Sequence, residues 1–216
     1  MDSRWDQSKK ESNWHFDDVF KKNKQYTEVC TFVGSWSELS EHYTALTEDS
    51  KWTKKRSKNG GPAEQGAVND LINAGANPDI TLFSRVEVDK DCIFYKASIE
   101  LGLEDAHVFF QTQHSGSMIH MHVDRHGTIG REDTGAIPLR RFLVMLEDWT
   151  PGHTVLLGNQ YWIWRKGQCI TWDKNVPHGT ANFSYSSRPM LQITGYETEK
   201  TRQLLTNCGY QNFISI

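Results

Sequence analysis

The sequence predicts a mainly β protein, a barrel or sandwich preceded by a stretch with helical character. Three observations predict it. After Pro78 the chain becomes a series of β-rich runs, ITLFSRVEV, CIFYKASIEL, HVFFQTQHS and SMIHMHVD, broken by polar or glycine-bearing gaps at the spacing of about 8–12 residues usual in antiparallel folds. Before Pro78 apolar positions fall near helical spacing, at Trp14, Phe16, Val19 and Phe20 and again at Trp36, Leu39, Tyr43 and Leu46. At the far end Glu199–Asn207 followed by Gly209 reads as a short helix with a glycine stop.

Taken in order, residues 1–12 are charged and aperiodic and read as a loose terminus. Residues 14–22 read as a helix. Tyr26–Val33 reads as a strand, because β-formers alternate there, and Ser35 or Ser37 caps a second helix. KWTKKRSKNGGP, residues 51–62, carries five basic side chains and a Gly-Gly-Pro stop, and reads as a surface loop. Residues 63–75 read as a short helix, with a turn at Asn77-Pro78. Beyond SMIHMHVD come a glycine-rich connection, GTIGREDTGAIP, and strands in LRRFLVMLEDW, TVLLG, QYWIW, RKGQCITWD and RPMLQITGY, with TPGH as a turn. The expected division is 1–78 as an elaboration packed on the barrel and 79–216 as the barrel, in one structural unit.

A chain of 216 residues suits one domain with a sizeable core. The net charge of −3 gives no general phosphate or membrane footprint, so neither partner is expected. Mean hydropathy is −0.63, which predicts long polar loops. Cys30, Cys92, Cys169 and Cys208 are scattered, which argues against a zinc knuckle and a disulfide framework. With no apolar leader run and no eighteen-residue apolar stretch, the expected compartment is the cytoplasm.

The chemistry gathers in MIHMHVDRH, residues 118–126. On an extended strand His122 and Asp124 leave the same face. An imidazole and a carboxylate on one face are two thirds of the 2-His-1-carboxylate set that holds non-haem iron(II) with open positions, and His178 can supply the third ligand. Arg188 follows ten residues later, and arginine's planar fork suits a buried carboxylate. Gln192 and Thr194 share the parity of Arg188, Gln113 can face the same cavity, and alternation sends one of Arg140 and Arg141 inward. A second assignment competes within the motif. His120, His122 and His178 would make a three-histidine site, with Asp124 as a fourth ligand on that face.

A His-x-Asp ending a β-run, a distal histidine some fifty residues on and an arginine ten after it resemble the iron(II)/2-oxoglutarate-dependent dioxygenases. The run Trp149–His153, Trp164, Gly167, Asp173, His178, Asn182 and Arg188 is similar to the aspartyl/asparaginyl hydroxylase-like members. The resemblance covers about residues 105–195. It implies a double-stranded β-helix (jelly roll, cupin-like), mainly β with N-terminal helices and a short C-terminal helix. It implies Fe(II) on His122, Asp124 and His178, which are then also the catalytic residues. 2-Oxoglutarate would be anchored by Arg188 with help from Arg141, and Asn182, Gln192, Thr194 and Gln113 would stand beside it. O2 is the further co-substrate and ascorbate the reductant. The implied activity hydroxylates a protein or peptide side chain or an amino acid, releasing succinate and CO2, with His120 and Trp164 as substrate-pocket candidates. Nucleic-acid demethylation is disfavoured, since the alkylation-repair branch carries a second arginine where this chain has Thr194. Two other classes stay open: a cupin-type metalloenzyme that uses His120 and no 2-oxoglutarate, and a non-catalytic β-barrel binding module.

Overall fold

The computed structural model describes residues 24–34, 53–56, 81–124 and 138–216, with positions 53–56, 81–84 and 120 described by backbone alone. The strands are β1 (Thr27–Val33), β2 (Thr53–Arg56), β3 (Thr81–Glu87), β4 (Leu103–Gln113), β5 (Met118–His122), β6 (Leu139–Met145), β7 (His153–Leu157), β8 (Gln160–Tyr161), β9 (Gln168–Thr171), β10 (His178–Asn182), β11 (Arg188–Glu197) and β12 (Phe213–Ser215). The helices are a 3-10 turn at Ile93–Tyr95, α1 (Lys96–Glu100) and α2 (Glu199–Thr206).

The strands form two sheets, β12-β1-β9-β6-β11-β4-β3-β2 and β5-β10-β7-β8. Between β4 and β11 the pairing is that of one long folded ribbon. β7 pairs with β8, β6 with β9, β5 with β10 and β4 with β11, all antiparallel. The ribbon then wraps so that β6 also pairs with β11 and β7 with β10. Eight strands wound this way are a jelly roll, or double-stranded β-helix. At its edges β1 adds beside β9 and β3 beside β4, so the larger sheet runs past the barrel on both sides.

Alternation along the strands separates two cores. On β11 Leu191 and Ile193 face out of the barrel, and on β6 Phe142 and Val144 do the same. They pack with Phe94, Ala97 and Leu101 of the helical segment. Met190, Leu143 and Met145, on the opposite parity, meet Val155, Leu157, Trp162, Trp164, Ile170 and Trp172 between the sheets. At about 25 cal/mol per Å² of apolar surface, these two layers supply the main drive for folding. Arg188, Gln192 and Thr194 share the inward parity of Met190, and Arg141 shares that of Leu143. The polar site is therefore built on the same pleats as the inner core.

Several expectations change. CIFYKASIEL is helical, not a strand: Phe94, Ala97 and Leu101 recur at helical spacing on the outer core, and Ser98 Oγ donates to the Tyr95 carbonyl at 2.7 Å. QYWIW pairs only at Gln160–Tyr161, because Trp162 and Trp164 drop into the inner core. Within the basic run 51–62, Thr53–Arg56 is a short strand on β3, the last of its sheet among the described residues. β12, parallel to β1, was not anticipated. The strand expected at Tyr26–Val33 and the C-terminal helix are present, the helix starting from a Thr198/Thr201 capping box. The helices expected at 14–22, 35–47 and 63–75 lie outside the described residues. No helix among the described residues is long and apolar enough to cross a membrane.

Candidate metal centre

β5 carries one residue more than β10 across a bulge: Ile119 stands opposite Thr180, and His122 opposite His178. A bulge shifts the side-chain phase of a strand, and here it brings two odd-and-even positions of β5 opposite two inward positions of β10. His122 and His178 thus face each other, with ring centroids 4.4 Å apart. The His120 side chain, which the three-histidine assignment needs, lies outside the described residues.

Asp124 follows two residues after β5 ends, and its carboxylate is almost wholly buried. Asp124 Oδ2 is 3.3 Å from His178 Nε2, and Oδ1 is 3.8 Å from His122 Nε2. One ligand atom from each of the three residues lies within 4.8 Å of the others. Burial pushes the Asp124 carboxyl up, but Arg141 first, then His178 and His122, pull it down harder, leaving it well below the usual carboxylate range.

The tautomer of His178 tests whether a metal fits. His178 Nδ1 is 3.0 Å from the Val176 carbonyl, which can only accept, so Nδ1 carries the proton. In a neutral imidazole Nε2 is then a bare acceptor aimed at Asp124 Oδ2. That oxygen is itself buried without a hydrogen bond. Two lone pairs facing each other in a dry site call for a proton or a metal cation between them. The donor set of two imidazoles and one carboxylate fits a divalent metal such as Zn²⁺ or Fe²⁺, with the Val176 carbonyl orienting a ligand from behind. Trp172 packs on the His178 ring at 4.9 Å and shields it from water.

Arg141 reaches Asp124, with Nη1 2.5 Å from Oδ1, and its Nε donates to Thr194 Oγ1 at 3.2 Å. Gln192, with its amide oxygen turned toward Arg141, accepts from Nε at 3.3 Å and Nη2 at 3.2 Å, and donates to Gln111 Oε1 at 3.2 Å. Arg140 points out of the barrel and pairs with Glu197.

Arg188 lies toward the other end of the barrel and is 1 % exposed. Its Nη1 donates to the Thr154 carbonyl at 2.8 Å and its Nη2 to Gln113 Oε1, while Nε is buried with no partner. Gln113 is oriented for this, since its amide nitrogen donates to the Ser117 and Thr180 carbonyls. Among the described residues no carboxylate pairs with Arg188, and burial pulls its pKa down to about 9. The guanidinium lies 5.7 Å from the Trp164 ring, so Trp164 is part of the barrel floor beneath Arg188. Asn182 is committed to the β10–β11 turn: its amide nitrogen donates to the Gln113 and Ser186 carbonyls and its oxygen accepts from Ser184.

His153, expected in the TPGH turn, is buried on β7, parallel to Trp164 at 6.3 Å. Burial lowers its pKa, against the Ser186 carbonyl, which raises it, and Arg188 lowers it further. The alternation of HTVLL, with His153, Val155 and Leu157 on one parity, was the signal that could have found it.

No family model matches the chain, and no curated protein does. Solved structures do. A prolyl-4-hydroxylase from Pseudomonas putida is 17% identical with a TM-score of 0.43, over 74% of this chain and 100% of that one. A sugar phosphate isomerase from a cupin superfamily, from Silicibacter pomeroyi, is 11% identical with a TM-score of 0.35, over 54% and 60%. A Cupin 2 conserved barrel domain protein from Salinispora arenicola is 6% identical with a TM-score of 0.35, over 58% and 84%. The strand order described above is what assigns the architecture: this chain is a cupin-like double-stranded β-helix with a His-Asp-His cluster able to hold a metal inside it.

Proposed function

We propose that the protein is an iron(II)- and 2-oxoglutarate-dependent oxygenase that hydroxylates a protein or peptide side chain or an amino acid. The observation that carries this reading is Arg188, a buried guanidinium whose Nε has no partner and whose acceptors among the described residues are the neutral oxygens of Thr154 and Gln113. A buried cation of that kind is costly without an anion, and this one shares a barrel with a metal-competent cluster.

The separation of the two sites supports the co-substrate. Thr154, which holds Arg188, stands opposite Ala181, three residues along β10 from His178 and so about 10 Å away at the rise of a strand. A five-carbon dicarboxylate of about 5 Å, a metal bond of about 2.1 Å and a hydrogen bond of about 2.9 Å add up to a length of the same order as that backbone spacing. Bound iron would supply the activation of O2 coupled to oxidative decarboxylation of the oxo acid. The chain's own part is positional. His122, Asp124 and His178 hold the metal from one side, Arg188 fixes the far carboxylate, and Trp164 and Trp172 keep water from both ends.

The test is titration of the iron-loaded protein with 2-oxoglutarate, wild type against Arg188→Ala, with succinate release measured in parallel. Losing one side of a buried charge pair costs about 2–5 kcal/mol, or about thirty- to several-thousand-fold in affinity. Arg188→Lys should recover only part, since an ammonium cannot make two parallel bonds. Iron affinity should hold in both. Equal 2-oxoglutarate affinity in wild type and Arg188→Ala would refute the assignment and favour a cupin-type metalloenzyme without an oxo acid.

A further inference from the structure

We infer that Arg141 is the positioning residue of the metal-binding carboxylate, occupying one oxygen of Asp124 so that only the other faces the metal. The inference rests on the metal reading proposed above. Asp124 stands beyond His122, the last residue of β5, so strand pairing alone does not fix its side chain. Arg141 does. Its Nη1 holds Oδ1 at 2.5 Å, and the guanidinium is itself braced by Thr194 and Gln192 of β11, with Gln192 steadied by Gln111 of β4. Three adjacent strands of the larger sheet thus converge on one carboxylate oxygen.

The distances agree with one-oxygen binding. Two ligands at right angles with bonds of about 2.1 Å stand about 3.0 Å apart. Oδ2, unbonded and buried, is 3.3 Å from His178 Nε2, whereas Oδ1 is 3.8 Å from His122 Nε2 and already taken. A carboxylate held to one oxygen uses one position on the metal. Bound in that way, a metal would keep positions free for a chelating oxo acid and O2. With its Nη1, Nε and Nη2 engaged by Asp124, Thr194 and Gln192, Arg141 acts through Asp124 and is not the co-substrate's anchor.

The experiment compares iron(II) binding by calorimetry, without oxygen, for wild type, Arg141→Gln, Arg141→Lys and Thr194→Val, each with its circular dichroism and urea unfolding. Losing a group that orients a metal ligand typically weakens metal binding about 10–100-fold, and that loss is expected for Arg141→Gln. Arg141→Lys keeps the charge but not the fork and should recover only part. Thr194→Val leaves Arg141 on Asp124 with one brace gone, and should fall between wild type and Arg141→Gln with unfolding little changed. If Arg141→Gln binds iron(II) as tightly as wild type or more tightly, Arg141 merely repels the metal and the inference is overturned. Arg141→Lys binding equal to wild type overturns it too, since charge alone then suffices. A wild type that binds no iron(II) ends the metal reading and this inference together, whereas equal binding across the series ends this inference alone.

Discussion

Asp124 offers a test in which two small substitutions should part company. In Asp124→Ala the Arg141 guanidinium loses its anion in a site where the two side chains are 12 % and 10 % exposed. Breaking a buried pair from one side costs about 3–5 kcal/mol, so the metal-free protein should lose that much. In Asp124→Asn the oxygen facing Arg141 can remain an acceptor, and replacing a charged partner by a neutral one there costs about 1–2 kcal/mol. The other oxygen becomes an N–H aimed at the bare Nε2 of His178, and that new bond returns about 0.5–1.5 kcal/mol. The net change is about 1.5 kcal/mol or less, and the gap between the variants at least about 1.5 kcal/mol. Urea unfolding in the presence of a chelator measures it, and calorimetry should show that neither variant keeps wild-type iron affinity. The same carboxylate sets a pH dependence. Its pKa is depressed in the folded state, so its contribution is complete above the ordinary value of 3.8 and disappears as pH falls through the folded value. The wild-type advantage over Asp124→Ala should therefore shrink below about pH 4. Equal destabilisation by Ala and Asn would refute the opposed lone pairs of His178 and Asp124, and with them the strongest local reason to expect a cation.

Gly167 has φ +82, and a Cβ there would stand 2.2 Å from the Phe32 carbonyl oxygen. Gly167→Ala should cost more than the roughly 1–2 kcal/mol of a left-handed residue, and hydrogen exchange should show the β1–β9 edge loosened; a wild-type melting temperature would contradict the close approach. Cys30 and Cys169 are fully buried cross-strand partners, and burial, with the Cys30 thiol beside it, pushes the Cys169 thiol well above its ordinary range. An alkylating reagent should therefore modify Cys92 and Cys208 in the native protein and reach Cys30 and Cys169 only after unfolding, which peptide mass analysis reads directly; native labelling of Cys169 would count against the packing of β1 on β9.

Much of the site was legible because its signals are short-range. His122, His178 and Arg188 each sit at a strand end, where spacing and residue type can be read together, and alternation sends one of Arg140 and Arg141 inward, while only the folded pairs with Glu197 and Asp124 show that it is Arg141. Other features were hidden because they depend on a partner far away in sequence. The bulge in β5 exists only relative to β10, so no periodicity within MIHMH announces it. Arg141 meeting Asp124 depends on where the chain returns after residue 137. In CIFYKASIEL the β-branched and aromatic residues suggest a strand, while the three-and-four spacing of Phe94, Ala97 and Leu101 points to the helix that packing selects. The basic run at 51–62 gave no strand signal because an edge strand needs no apolar face.

The folded ribbon has a kinetic side. Its rungs close loops of increasing length: β7 meets β8 across a two-residue turn, then β6 meets β9, β5 meets β10, and β4 meets β11 last. Loop-closure entropy makes each outer rung wait on the inner ones. His122 and His178 belong to the third rung, and Gln113 and Arg188 to the fourth. A growing chain emerging from the ribosome would hold a hairpin and half an inner core while still lacking both the His122–His178 rung and the Gln113–Arg188 rung. The functional groups are assembled only when residue 188 has been made and has crossed back to β4. A protein truncated before residue 188 could bury tryptophans and close the rung of His122 and His178 and still lack the rung of Gln113 and Arg188.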